Sequence, residues 1–303
     1  MSDHNRALLV ALPGSEDLAA AIAGSLGLPL AELQWRRFPD GESYVRLHDN
    51  PDGRDVVIVA RLDHPDDKLA TLLFTADLVR ELGARRTGLV CPYLPYMRQD
   101  MRFKPGEAVT SRPFARWLSA EFDWLATVDP HLHRYASLNE IYSLASRVVE
   151  AAPVLADWIA AEVDDPVLIG PDGESEQWVS AVAALRDLPW RVFTKKRHGD
   201  RDVTLQVPDL DGLTGHTPVL VDDIISSGTT MAEAARHLRD AGMRAPVVVG
   251  VHGLFGSGAR AILAEADLAR VVCSNSVDVP EAAIDLAPLL AEAVEEWLLQ
   301  MRQ

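Results

Sequence analysis

Between Pro218 and Gly242 the chain reads Val219-Leu-Val-Asp-Asp-Ile-Ile-Ser-Ser-Gly-Thr-Thr-Met231, then a helical pattern over Met231–Ala241. An apolar run behind a proline predicts a buried strand, and the small polar residues predict a tight loop opening onto a helix. A buried strand feeding a helix through so short a turn restricts the chain to folds with a parallel sheet. The loop, Ser226, Ser227, Gly228, Thr229 and Thr230, brings hydroxyls to a helix N-terminus, where unpaired N–H groups and the helix dipole favour an anion. Asp222 and Asp223 stand at the strand's carboxyl end, where ligands of open α/β sheets bind. Two carboxylates beside an anion cradle suit a sugar phosphate, whose hydroxyls donate to the acids while its phosphate takes the loop. The plain alternative is an ordinary strand–loop–helix turn, and the coincidence of all three features argues against it.

The same alternation runs through the chain. Apolar runs at Ala7–Leu12, Asp55–Ala60, Thr87–Tyr93 and Trp124–Val128 predict strands, with helical patterns at Glu16–Leu26 (Ser15 as N-cap) and Asp66–Leu82. Further strands are predicted at Pro166–Ile169, Trp190–Phe193, Val203–Val207, Ala245–Leu254 and Arg270–Asn275. Helical patterns cover Arg147–Val163, Ala259–Ala266 and Pro288–Arg302. With 303 residues, 48% of them hydrophobic, the chain is long enough for two α/β domains. We place the boundaries at residues 1–148, 149–285 and 286–303, the last a docking helix.

A formal charge of −16 argues against general nucleic-acid binding, which needs a basic surface. It leaves room for an anionic small substrate held by a local basic cluster. No apolar run approaches a membrane span, and Met1–Arg6 is too polar for a signal peptide. Cys91 and Cys273, far apart and each in a strand-like run, read as buried free thiols of a reducing, cytoplasmic protein.

Three segments of the first half carry polar chemistry. Pro39-Asp40-Gly41 is a turn signal between two strand-like runs and predicts a hairpin. The loop after Thr87–Tyr93 contains Tyr96-Met-Arg-Gln-Asp100 and Phe103-Lys-Pro-Gly-Glu107. Its Arg98, Arg102 and Lys104 suit a polyphosphate, but taken alone they are better read as a solvated basic loop. Asp129-Pro-His131 ends a strand, and His131-Leu-His133 has the spacing of a soft-metal pair. In the second half Gly170-Pro-Asp172 puts an acid at a strand's end, and Thr194-Lys-Lys-Arg197 begins a basic hairpin.

The acid pair with its loop resembles the phosphoribosyl diphosphate (PRPP) motif of type I phosphoribosyltransferases and PRPP synthetases. Phe38-Pro-Asp-Gly-Glu42, Tyr96-Met-Arg-Gln-Asp100 and Phe103-Lys-Pro-Gly-Glu107 resemble the synthetases specifically. The resemblance covers nearly the whole chain. It implies two doubly wound parallel-sheet domains of the type I phosphoribosyltransferase kind, with the active site between them. It also implies transfer of a diphosphoryl group from Mg-ATP to ribose 5-phosphate. Asp40, Glu42, Arg98, Gln99, Asp100, Arg102 and Lys104 are then nucleotide-binding candidates, although Met101 stands where many members have a second basic residue. Asp222, Asp223 and Ser226–Thr230 are implied to hold ribose 5-phosphate, His131 and Asp172 to hold Mg²⁺, and Lys195 and Arg197 to act on the transferring group. Departures are Pro130, for a common leucine, and Glu174 and Glu176, for a glycine-rich continuation. The family also implies a homo-oligomer in which the Asp40–Glu42 loop reaches a neighbouring subunit, and a terminal helix that returns to the first domain. A phosphoribosyltransferase consuming PRPP, a catalytically silent synthetase-like subunit and a synthetase for another sugar phosphate are the competing readings.

Overall fold

A computed structural model describes residues 7–197 and 203–300, with side chains of 195–197 and 203–206 outside the description. The chain divides into two compact units, one running through Val149 and including the segment from Leu286, the other Glu150–Asp285.

In unit 1 the elements are β1 (Ala7–Ala11), α1 (Glu16–Leu26), β2 (Leu30–Ala31), β3 (Leu33–Arg37), β4 (Ser43–Leu47), β5 (Asp55–Val59), α2 (Pro65–Glu81), β6 (Arg86–Val90), α3 (Ser111–Glu121), β7 (Trp124–Val128) and β8 (Ala145–Val149). Unit 2 holds α4 (Ala152–Glu162), β9 (Pro166–Gly170), α5 (Glu176–Ala184), β10 (Trp190–Val192), β11 (Thr194–Arg197), β12 (Val203–Gln206), β13 (Thr217–Ile225), α6 (Thr229–Asp240), β14 (Val247–Gly253), α7 (Ala259–Ala264), β15 (Arg270–Ser274) and β16 (Ala282–Ile284). The last helix, α8 (Ala287–Gln300), belongs to unit 1.

Each unit is built on a six-stranded sheet whose pairings are all parallel, in the order β2-β1-β5-β6-β7-β8 and β10-β9-β13-β14-β15-β16. Continuous apolar runs such as Asp55–Val59, buried at every position, are what a sheet covered on both faces demands. Gly88 on β6 is required by packing, because a methyl there would lie 2.0 Å from the Trp124 ring. In both units the chain steps to one side of its first sheet strand and then crosses back to the other. The reversal leaves a crevice at the carboxyl ends of β1 and β5 in unit 1, and of β9 and β13 in unit 2, the place where such sheets bind ligands.

The unit 1 crevice is filled from within. Arg61, 1% exposed, reaches Asp17 at 2.5 and 3.0 Å and donates to Gly14 O at 3.1 Å. Its backbone N–H donates to Ser15 Oγ at 2.8 Å. Ser15 therefore makes no side-chain cap on α1, contrary to its sequence reading, because its hydroxyl is engaged across the crevice.

Helical periodicity over Arg147–Val163 is also corrected. Residues through Val149 form the edge strand β8, paired in parallel with β7, and the helix starts at Ala152. Packing within unit 1 overrides the local pattern, since Trp124 and Trp297 stack at 5.6 Å and Arg147 pairs with Glu296 of α8. The helical pattern through Arg302 is described only to Gln300, so Met301 lies outside the described residues. Cys91 and Cys273 are buried free thiols, and no helix among the described residues is long and apolar enough to cross a membrane.

Candidate active site

In unit 2 the crevice gathers three acids. Asp222 and Asp223 lie on β13, where Asp222 pairs in register with Gly250 of β14. Asp172 follows β9, and its carboxylate accepts from Glu174 N at 3.0 Å, while its carbonyl accepts from Ser175 Oγ at 2.6 Å. These bonds fix a tight turn ahead of α5. Burial, together with the carboxylates of Asp223 and Asp172, pushes Asp222 up to about 8. Glu174 and Glu176, which stand where a glycine-rich continuation is expected, are exposed.

The anion loop continues from β13. Gly228 adopts the left-handed conformation, φ +74°, and Thr229 and Thr230 open α6. That helix turns its first N–H groups and its positive dipole end toward the loop. The hydroxyl of Ser227 accepts from Thr229 N at 3.3 Å, so one donor of the cradle is capped by the loop itself. His252, on β14, is 1% exposed with Nδ1 3.0 Å from Ser276 Oγ.

Lys195 and Arg197 lie two residues apart on β11, which pairs antiparallel with β12 as a separate hairpin.

In unit 1 the candidate nucleotide residues fall on two loops. Asp40 and Glu42 sit at the exposed tip of the β3–β4 hairpin, closed by hydrogen bonds from Phe38 N to Glu42 O and from Gly41 N to Phe38 O. The guanidinium of Arg36 lies over the rings of Phe38 and Tyr44 at 4.2 and 4.6 Å. A cavity of about 550 Å³ runs from Glu42 to Asp66, Asp67 and Phe74 on α2.

On the second loop Arg98, Arg102 and Lys104 are exposed, as a polyphosphate contact requires. Asp100 behaves differently. Its side chain is 2% exposed and accepts from Arg134 at 3.0 and 3.2 Å, and its carbonyl accepts from the Tyr135 hydroxyl. Gln99 is held by Thr110 and Ser111 at the start of α3. Asp100 and Gln99 thus anchor the loop whose tip carries the cations. Arg134 escaped the sequence reading because only the fold brings it to Asp100. Arg134→Ala strands a buried carboxylate and is expected to cost about 2 kcal/mol. A thermal melt showing several degrees' loss checks this.

His131 and His133 lie 3.9 Å apart between ring centres, tilted by 30°, and among the described residues there is no group of three or more His, Cys, Asp or Glu side chains that could hold a metal. Mg²⁺ is commonly bound by one or two carboxylates plus substrate oxygens, and the mutually repelling acids of unit 2 supply oxygen donors of that kind.

Comparisons with known proteins agree with this layout. Residues 7–121 match the model of the N-terminal domain of ribose phosphate pyrophosphokinase, and residues 140–289 match that of the phosphoribosyl transferase domain. A ribose-phosphate pyrophosphokinase of Methanopyrus kandleri is 36% identical over 280 residues, covering 92% of this chain and 95% of its own. One from Halobacterium salinarum is 34% identical over 288 residues, covering 95% and 100%. The crystal structure of phosphoribosylpyrophosphate synthetase from Mycobacterium smegmatis superposes with a TM-score of 0.85 at 23% identity, covering 98% of this chain and 100% of that one, and shows a shared fold. With both halves of the chain accounted for, in order and over nearly full length, this protein belongs to the ribose-phosphate pyrophosphokinase family.

Proposed function

We propose that the protein transfers the diphosphoryl group of Mg-ATP to the C1 hydroxyl of ribose 5-phosphate, giving PRPP and AMP. The C1 oxygen forms a bond to the β-phosphorus, the bond from that phosphorus to the oxygen bridging to the α-phosphate breaks, and the hydroxyl proton is released. The observation that carries this reading is the unit 2 crevice, which sets an acid pair beside a hydroxyl-rich helix N-terminus at the switch in strand order.

The loop Ser226–Thr230 takes the 5-phosphate, and Asp222 and Asp223 accept from the ribose hydroxyls. Lys195 and Arg197 neutralise charge that builds on the diphosphoryl oxygens, an effect strongest where water is excluded. Arg98, Arg102 and Lys104 bind the nucleotide's phosphates, with Asp100 and Gln99 fixing their loop. His131 and Asp172 would each serve as a ligand for Mg²⁺. When bound, that ion supplies further neutralisation of the triphosphate. Asp40 and Glu42 serve the nucleotide of a neighbouring copy in a homo-oligomer. The exposed aromatic side chains of the hairpin, Trp35 at 44% and Phe38 at 38%, favour a partner there.

The test is AMP release from ATP, Mg²⁺ and ribose 5-phosphate, against a control without sugar. Sugar-dependent AMP in step with PRPP is expected. A folded protein that binds ribose 5-phosphate and releases no AMP would overturn the reading in favour of a PRPP-consuming transferase or a silent subunit.

A further inference from the structure

The segment after β14 underlies the anion loop. Leu254 N and Phe255 N both donate to Ile225 O, at 2.9 and 3.1 Å, and Gly256 N donates to Ser226 O at 3.0 Å. In a trans peptide the C=O and N–H of one unit point in opposite directions. Holding the carbonyls of Ile225 and Ser226 against this segment therefore aims the N–H groups of Ser226 and Ser227 away from it, into the cradle. Phe255 accepts a left-handed φ of +40° to make these contacts, a conformation costly for an aromatic residue and held by its surroundings.

The next residue of the loop is braced by packing. Gly228 faces Leu263 so closely that a methyl built on it would lie 2.9 Å from Leu263 Cγ and 3.2 Å from Ala259 O. Leu263 is 3% exposed and comes from the six-residue helix α7. It fills the hollow that the missing Cβ leaves. The left-handed turn that points the start of α6 at the loop is thus seated on one side chain.

We infer that Leu263 is a positioning residue for ribose 5-phosphate, acting through Gly228 without touching the substrate. The inference rests on the reading of Ser226–Thr230 as the 5-phosphate loop. Shortening Leu263 opens space under Gly228 and lets the turn relax, and small misplacements of a binding group are costly. Met keeps the volume and is well tolerated in cores.

In the full-length protein, Leu263→Ala is expected to raise the KM for ribose 5-phosphate about tenfold while leaving that for ATP unchanged. Leu263→Met should restore most of the loss. A purely structural role would instead lower kcat through a smaller folded fraction and leave the two KM values in proportion. A folded Leu263→Ala protein whose sugar-phosphate KM is unchanged, or moves together with that for ATP, overturns the inference. If Leu263→Ala fails to fold, Leu263→Val withdraws the same contact more gently and is judged by the same criteria. A wild-type protein without sugar-dependent AMP release would remove the underlying reading. Normal wild-type turnover with an unchanged KM in the variant would remove the inference alone.

Discussion

Lys195→Ala should lower kcat about a thousandfold, or ~4 kcal/mol of transition-state stabilisation, with much smaller changes in either KM. A diphosphoryl group in transfer spreads charge over its oxygens, and the protein contributes chiefly position and countercharge. A cation that meets those oxygens only at the transition state is lost from kcat, whereas one that binds the ground state is lost from KM. Arg197→Ala should fall in the same range. The double variant should cost less than the product of the two, because a closing pair acts as a unit. Single-turnover measurement of AMP formation separates chemistry from product release. Near-normal turnover in both single variants would refute the role given to this hairpin. Arg197→Lys offers a finer check, since it keeps the charge and loses the planar fork.

Asp222→Asn is expected to stabilise the metal-free protein at high pH while abolishing most activity. Burial and two neighbouring acids raise Asp222 to about 8 in the folded state, against about 3.9 for an unperturbed aspartate. A group whose folded value is raised gives its full stability below the unfolded value, and that contribution is lost as pH climbs through the folded one. Wild-type protein should therefore lose up to ~5 kcal/mol between about pH 4 and pH 9 from this carboxylate, an upper figure because its neighbours share the repulsion. The amide has no proton to lose. Melting temperatures of the variant and wild type should agree near pH 4 and diverge steadily toward pH 9, with the variant higher. Curves that stay parallel across this range would show that Asp222 is not the strained member of the group. Turnover should drop about a hundredfold, because an amide NH₂ can donate toward a ribose hydroxyl where a carboxylate only accepts.

Much of this architecture is written locally. The runs Val56–Val59 and Val219–Val221 are apolar enough to mark buried strands, and the serine–glycine–threonine turn announces its helix. The β3–β4 hairpin follows from Pro39-Asp40-Gly41. Helices α3 and α5 are harder to read, because Ser111–Glu121 carries a proline in its first turn and Glu176–Ala184 emerges from an acidic loop. Strand β8 is misread outright. Arg147-Val-Val149 has no marked alternation, and only its pairing with β7 and its contacts with α8 make it a strand. At the candidate site, residue types are legible while partnerships are not. Asp100 reads as a nucleotide contact by its motif, yet its carboxylate meets an arginine thirty-four residues away. Nothing in the spacing of Gly228 and Leu263 betrays their contact.

The two crevices differ in charge and in state of completion. In unit 2 the acids repel one another, and a proton on Asp222, a visiting cation or a sugar relieves them. In unit 1 the corresponding place already contains its ligand, since the Arg61 guanidinium is a cation tethered by its own chain and matched to Asp17. A tethered ligand has no dissociation constant and no dependence on metabolite supply. That crevice of unit 1 is therefore expected to keep one shape whether the cell is rich or poor in sugar phosphate. Only unit 2 is left to register that supply, so each chain counts one sugar phosphate, not two.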